Sequence, residues 1–207
     1  MKQTSIALLA SLVSSTALAQ TVDFDSDAVG SVPAGWNCGV TGGGSFRWGV
    51  AADPDAPSKP NVLRQTGSGT FPWCVKDGTA ITDGFVEAKF KPISGREDQA
   101  GGLVWRFKDG NHYYVARANA LENNVSLYYT ERGSRKTLKY VDAPVAAGTW
   151  HALRVEFAGR RIQVSLDGRR YIEFEDEHIR GPGAVGVWTK ADSVTAFDDF
   201  TYGPMRP

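Results

Sequence analysis

Two arginines interrupt apolar sequence in the stretch GGLVWRFKDGNHYYVARANA, residues 101–120. Arg106 stands in the first run and Arg117 in the second, with Lys108-Asp109-Gly110-Asn111 between them. A guanidinium is seldom buried without a partner. Its forked donors suit a carboxylate or a pair of adjacent hydroxyls. Strand alternation puts Val104 and Arg106 on one side of the first run and Leu103, Trp105 and Phe107 on the other. It puts Tyr113, Val115, Arg117 and Asn119 on one side of the second run. In the following VSLYYTE it sets Ser126, Tyr128 and Thr130 apart from Val125, Leu127 and Tyr129.

If these three strands are neighbours, one sheet face collects Arg106, Tyr113, Arg117, Asn119, Ser126 and Tyr128. Such a face is half apolar and half hydrogen-bonding. That mixture suits a pyranose, whose C–H patches meet aromatic rings and whose hydroxyls meet fixed polar groups. The structural alternative is an ordinary solvated face whose arginines pair with Glu87, Glu131 or Glu156.

Other chemistry is thinner. Glycosidic cleavage needs two carboxylates about the scissile bond. The nearest acid-rich string, EFEDE at Glu173 to Glu177, reads as a solvated strand edge. Glu87, Arg106, His112 and Arg117 are the remaining groups an enzyme would use, although His112 follows a turn and reads as its cap. Asp23, Asp25, Asp27, Asp198 and Asp199 offer the oxygen ligands a structural calcium ion prefers, provided the chain ends meet. The competing reading has these acids capping strand ends. No Ser-His-Asp order, phosphate loop, zinc spacing or nucleotide fingerprint is present, so no cofactor is called for.

The elements that position these residues are strands. FVEAKFK sets Val86, Ala88 and Phe90 against Glu87, Lys89 and Lys91, and WHALRVEF, RIQVSL and YIEFE alternate likewise. Turn signals recur at Asp109-Gly110, Arg132-Gly133, Ala158-Gly159, Asp167-Gly168 and Gly181-Pro182-Gly183, and no segment holds a 3.6-residue period. The expected fold is all-β, many antiparallel strands in a sandwich or barrel. For the hairpin at Asp167-Gly168, a three-residue loop pairing Ile162 with Ile172 keeps the apolar face together. Residues 26–84, richer in Gly, Pro and Ser, are expected as long loops around two or three strands.

Composition narrows the partners. The 23 basic and 23 acidic residues cancel and form no basic stripe, which argues against nucleic acid. With 42% hydrophobic and 11% aromatic residues, the chain can fill a core. Residues 1–19 read as a secretory leader: Lys2, the apolar run IALLASLV, and a small-x-small site at Ala17-Leu18-Ala19. That run is too short to span a bilayer, and no later segment is long and apolar enough. A single domain is expected over residues 20–207, in a periplasm or outside the cell. In that setting Cys38 and Cys74 are expected to form a disulfide.

The blocks DQAGGLVWRFKDGNHYYVARANALENNVSLYY, GTWHALRVEFAGRRIQVSLDG and GAVGVWTKADSVTAFDDF, with the opening DFDSDAVGSVPAGW, resemble in order a bacterial secreted family. It belongs to the concanavalin A-like lectin/glucanase superfamily, and its close relatives carry the label 3-keto-disaccharide hydrolase or unknown function. The resemblance covers nearly all of residues 20–207. It implies a two-sheet antiparallel jelly roll with a concave, saccharide-facing sheet. The Glu-x-Asp-x-x-Glu strand of laminarinase-type members has no match here. Three functions stand open: a saccharide-binding domain with Arg106, Tyr113, Arg117, Asn119, Tyr128 and Glu87 at its site, a hydrolase or lyase of glycosidic bonds, and an envelope protein that meets a protein partner.

Overall fold

The computed structural model describes residues 18–205. The leader reading falls on residues 1–19, of which 1–17 lie outside the described residues. Fifteen strands form two antiparallel sheets, with no helix among the described residues. The eight-stranded sheet runs β13 (Arg169–Glu175), β12 (Arg161–Leu166), β11 (His151–Ala158), β6 (Gly84–Ser94), β15 (Val194–Pro204), β4 (Asn61–Gln65) and β3 (Trp48–Ala52), with β1 (Gln20–Val22) also paired to β15. The seven-stranded sheet runs β10 (Ser134–Asp142), β9 (Asn124–Glu131), β8 (His112–Asn119), β7 (Ala100–Asp109), β14 (Ala184–Trp188), β5 (Gly69–Lys76) and β2 (Trp36–Gly44).

The core lies between the sheets and follows the expected alternation. Leu103, Trp105, Tyr114, Ala116, Ala118, Val125 and Leu127 meet Val86, Ala88, Phe90, Val155, Phe157, Ile162 and Val164. Trp105 stacks between Tyr114 and Phe157, at centroid distances of 5.3 and 6.0 Å. Cys38 and Cys74 face each other across β2 and β5 and form the expected disulfide.

Two expectations need correction. Residues 26–84 hold four strands, β2 to β5, rather than two or three. Their glycine- and proline-rich sequence hides the pattern because they turn often. The hairpin at Asp167-Gly168 is a two-residue turn with positive φ at both residues, +51° and +77°. A bulge beyond Val164 then keeps the apolar face aligned, so Ile162 opposes Phe174 and Val164 opposes Ile172. The buried face did fix the register, but through a bulge inside the strand instead of a longer loop.

A third departure shapes the site. Strand β7 bulges between Trp105 and Asp109, and Arg106 takes a left-handed φ of +46°. Gly183 makes room for this kink, since a Cβ there would come 2.4 Å from the Arg106 carbonyl carbon. Beyond the bulge the faces exchange. Phe107 joins Val104, Tyr113, Val115, Tyr128 and Trp188 in a second apolar cluster on the side of the sheet away from the core.

Candidate functional site

Strand register builds one row of side chains across that second face. Tyr140, Ser126, Arg117, Gly102, Trp188, Trp73 and Gly39 oppose one another in turn from β10 to β2. The next row holds Thr137, Tyr128, Val115, Val104, Gly186 and Val75, and beyond it Arg135, Thr130 and Tyr113 are paired. The face is concave. Strands β2 and β8 are separated by β5, β14 and β7, about 19 Å in a flat sheet. Yet Thr41 Oγ1 on β2 lies 2.9 Å from the Tyr113 hydroxyl on β8. Trp73 packs against Phe107 and Phe107 against Tyr113, which fills this end of the groove.

The opposite end is polar. Arg117 is buried and donates from Nη2 to Glu122 at 2.5 Å, Asn124 at 3.1 Å and Ser126 at 3.4 Å. Its Nη1 lies 3.6 Å from the Asp98 carboxylate. Asp98 is fully buried, accepts from Asn119 at 2.6 Å and pairs with Lys190. Burial pushes the Asp98 carboxyl up, against the opposing pull of Lys190 and Arg117. Burial acts the same way on Glu122, but hydrogen bonds from Asn124 and Tyr140 and the adjoining Arg117 charge outweigh it and hold this carboxyl at about 2. The two acids beside one guanidinium are thus driven in opposite directions.

Between the two ends lies an aromatic layer crossed by a cation. Phe71 stacks on Trp188 at 5.6 Å. The Arg135 guanidinium reaches in from the edge strand β10 and sits 4.2 Å from the Tyr128 ring, 4.6 Å from Phe71 and 5.7 Å from Trp188. Phe71 also forms a wall of an open cleft of about 370 Å³, shared with Gly43, Gly44, Thr70, Glu97 and Lys190. Nine buried side-chain polar atoms among the described residues lack a hydrogen-bond partner. Five of them belong to this face: Trp73 Nε1, Arg117 Nε, Thr130 Oγ1, Arg135 Nη1 and Trp188 Nε1. Buried polar groups are normally paired, so this concentration sets the face apart from the rest of the fold; the orphan atoms are themselves buried, and none of their residues lines the cleft.

The structure brings Tyr113, Arg117, Asn119 and Tyr128 together on this face, as alternation required. It does not bring Arg106 or Glu87 there. The bulge turns Arg106 toward the core side, where it sits near the Phe157 ring and donates to the carbonyls of Thr82, Gly159 and Ile179. Glu87 lies on the outer face of the eight-stranded sheet and pairs with Arg154 at 3.0 Å. Tyr113 is sealed by Thr41 and Phe107, and Asn119 is committed to Asp98. Sequence reasoning missed Phe71, Asp98, Glu122, Arg135, Trp188 and Lys190. Of the EFEDE acids, Glu173, Glu175 and Glu177 form exposed pairs with Arg161, Arg170, Arg160 and Arg180, but Asp176 departs from the solvated edge: it is buried, accepts from the Tyr114 hydroxyl and pairs with His178. His112 bonds Asp109 across its turn. The aspartates do not converge: Asp25 and Asp27 accept from backbone N–H groups of Asn61 and Ala34, Asp198 holds Ser58, and Asp199 pairs with Lys89.

No protein-family model matches the chain, and no curated protein matches it in sequence. Among solved structures it is similar to the carbohydrate-binding module CBM66 from Bacillus subtilis, with a TM-score of 0.66 and 20% identity over 82% of this chain and 96% of that one. It is similar to the cellulose-induced protein Cip1, with a TM-score of 0.62 and 15% identity over 91% and 98%. It is also similar to a β-glucanase from Bacillus licheniformis, with a TM-score of 0.59 and 12% identity over 94% and 100%. At these identities the likeness is one of fold. The chain has a two-sheet antiparallel jelly-roll fold, as these structures do.

Proposed function

We propose that this protein is an exported saccharide-binding jelly roll whose site is the concave face of the seven-stranded sheet. The observation that carries the reading is the layer of Phe71, Trp188, Tyr128 and Arg135, of which Phe71 walls an open cleft shared with Lys190. Aromatic faces meet sugar C–H patches, and the cations, Lys190 at the cleft and Arg135 beside its Phe71 wall, offer donors to ring and hydroxyl oxygens. The carbohydrate-binding module of the same fold supports this choice. The curl of the face supports a saccharide over a flat protein partner. Export fits a leader ending before Gln20 and a disulfide suited to an oxidising compartment. The resemblance of the central blocks to the secreted 3-keto-disaccharide hydrolase-like family belongs to the same reading.

The test is native affinity electrophoresis against a panel of soluble polysaccharides. At least one polysaccharide retards the wild type, and Phe71→Ala abolishes most of that retardation. Equal mobility in every gel overturns the proposal. A second reading, glycosidic cleavage, rests on Asp98 and Glu122, two carboxylates about Arg117 with acidities driven apart. It ranks second because both acids are locked in ion pairs with the protein's own cations. Release of reducing ends by the wild type, lost in Glu122→Gln, would promote it.

A further inference from the structure

Arg135 is the exception among the cations of the concave face. Arg117 has Glu122 and Asp98, and Lys190 has Asp98. Among the described residues no carboxylate lies within ion-pairing distance of Arg135, and its Nη1 is buried without a hydrogen-bond partner. Its contacts are three aromatic rings from β5, β9 and β14. Rings attract a guanidinium but do not neutralise it. Removal from water works against its charge and lowers its pKa from the ordinary arginine value. The inner face carries Arg117, Arg135 and Lys190 against Asp98 and Glu122, one positive charge in surplus. Glu97 lies across the cleft, exposed at its rim.

We infer that the saccharide bound at this face is acidic, and that its carboxylate pairs with Arg135 while its ring lies against the Phe71 and Tyr128 side of the groove. This rests on the saccharide-binding reading and specifies its ligand class. A planar carboxylate matches the guanidinium fork, and its charge offsets the surplus. The Arg135 side chain comes from an edge strand, so it can tilt off its rings to meet the carboxylate without disturbing the sheet. A neutral sugar would leave an unpaired, partly desolvated cation in the site, a cost that disfavours it.

The experiment is titration calorimetry with galacturonate, glucuronate and mannuronate oligosaccharides, each beside its methyl ester, on wild type, Arg135→Gln and Arg135→Lys. The ester keeps the sugar and removes the charge. A uronate should bind the wild type at least tenfold tighter than its ester. Arg135→Gln should lose about ten- to a hundredfold of the uronate affinity, the scale of a hydrogen bond to a charged group, and should narrow the gap between uronate and ester by the same factor. Arg135→Lys should keep part of the preference, and all three proteins should melt within a few degrees of one another. Equal binding of acid and ester, or full uronate affinity in Arg135→Gln, overturns the inference while leaving a neutral-saccharide binder standing. Failure of every acidic and neutral oligosaccharide to bind overturns the saccharide site itself.

Discussion

Val104 and Arg106 stand two residues apart on one strand and face opposite sides of the sheet. Val104 packs in the concave-face cluster, whereas Arg106 lies near Phe157 on the core side. The left-handed turn of the backbone at Arg106 is the cause, since one residue of bulge inverts every side chain beyond it. Arg106 thereby becomes a staple. One buried guanidinium ties together the loops carrying Thr82, Gly159 and Ile179, with Asp83 at 3.5 Å.

Arg106→Ala should therefore act on stability and not on binding. It strands three backbone carbonyls that now share one donor group, a loss of roughly 3 kcal/mol. For a domain of this size that is a fall in Tm of roughly 6–12 °C. Thermal denaturation measures it. An unchanged Tm with weakened saccharide binding would return Arg106 to the site.

Glu173→Gln and Glu175→Gln should change neither stability nor binding by a measurable amount. Both side chains are exposed, and Glu173 pairs with Arg161 and Arg170 on β12 and β13 at the sheet edge. Exposed pairs of this kind contribute about 0–1 kcal/mol. Loss of a measured activity in either variant, with the fold intact, would make this strand part of the chemistry.

The contrast between Arg117 and Arg135 shows what the sequence could reveal. Strands β8 and β9 are adjacent, regular and joined by a short turn, so period-two alternation alone put Tyr113, Arg117, Asn119, Ser126 and Tyr128 on one face. Arg135 shares the site with Phe71 and Trp188, whose strands lie far along the chain. That meeting depends on β14 being inserted between β7 and β5 and on the curl of the whole sheet. No local pattern encodes either. Arg106 failed for a different reason: a non-glycine residue at positive φ leaves no mark in the sequence. Glu87 alternated correctly, but nothing in its strand tells which of two sheets it joins.

Glu122 gives the fold a defined acid sensitivity. Its folded pKa, about 2, lies below the ordinary 4.5. A depressed carboxyl contributes stability above its unfolded value, and that contribution is lost as pH falls from about 4.5 toward 2. The Tm gap between wild type and Glu122→Gln should be widest near pH 6–7 and close on acidification through this window. The side chain is 39% exposed, so solvent screening keeps the gap to a few degrees. A gap that stays constant from pH 7 to pH 2.5 would show that Glu122 acts through shape and not charge.

Arg117 ties the site to the fold, and its removal should show in both. Truncation to alanine takes the guanidinium from Asp98 and Glu122 together. Glu122 is half-exposed and can turn to water. Asp98 is fully buried and cannot, so it is left with Lys190 and Asn119 for a carboxylate that burial already disfavours. Breaking a buried pair costs about 3–5 kcal/mol, and the remaining lysine places this case near the low end. A loss of about 3 kcal/mol lowers Tm by roughly 6–12 °C. If the cost is the stranded charge, Asp98→Asn added to Arg117→Ala should recover part of it, because the amide has no charge to strand. Denaturation of the two single variants and the double variant closes the cycle. Strict additivity of the two losses would mean that Arg117 and Asp98 are not coupled. The affinity of Arg117→Ala for the retarding polysaccharide should also fall, by about tenfold, since its removal frees Glu122 and unsettles the Asp98–Lys190 pair whose lysine lines the cleft. A large fall in Tm with affinity intact would make Arg117 a strut of the concave face and leave Arg135 and its rings to hold the sugar.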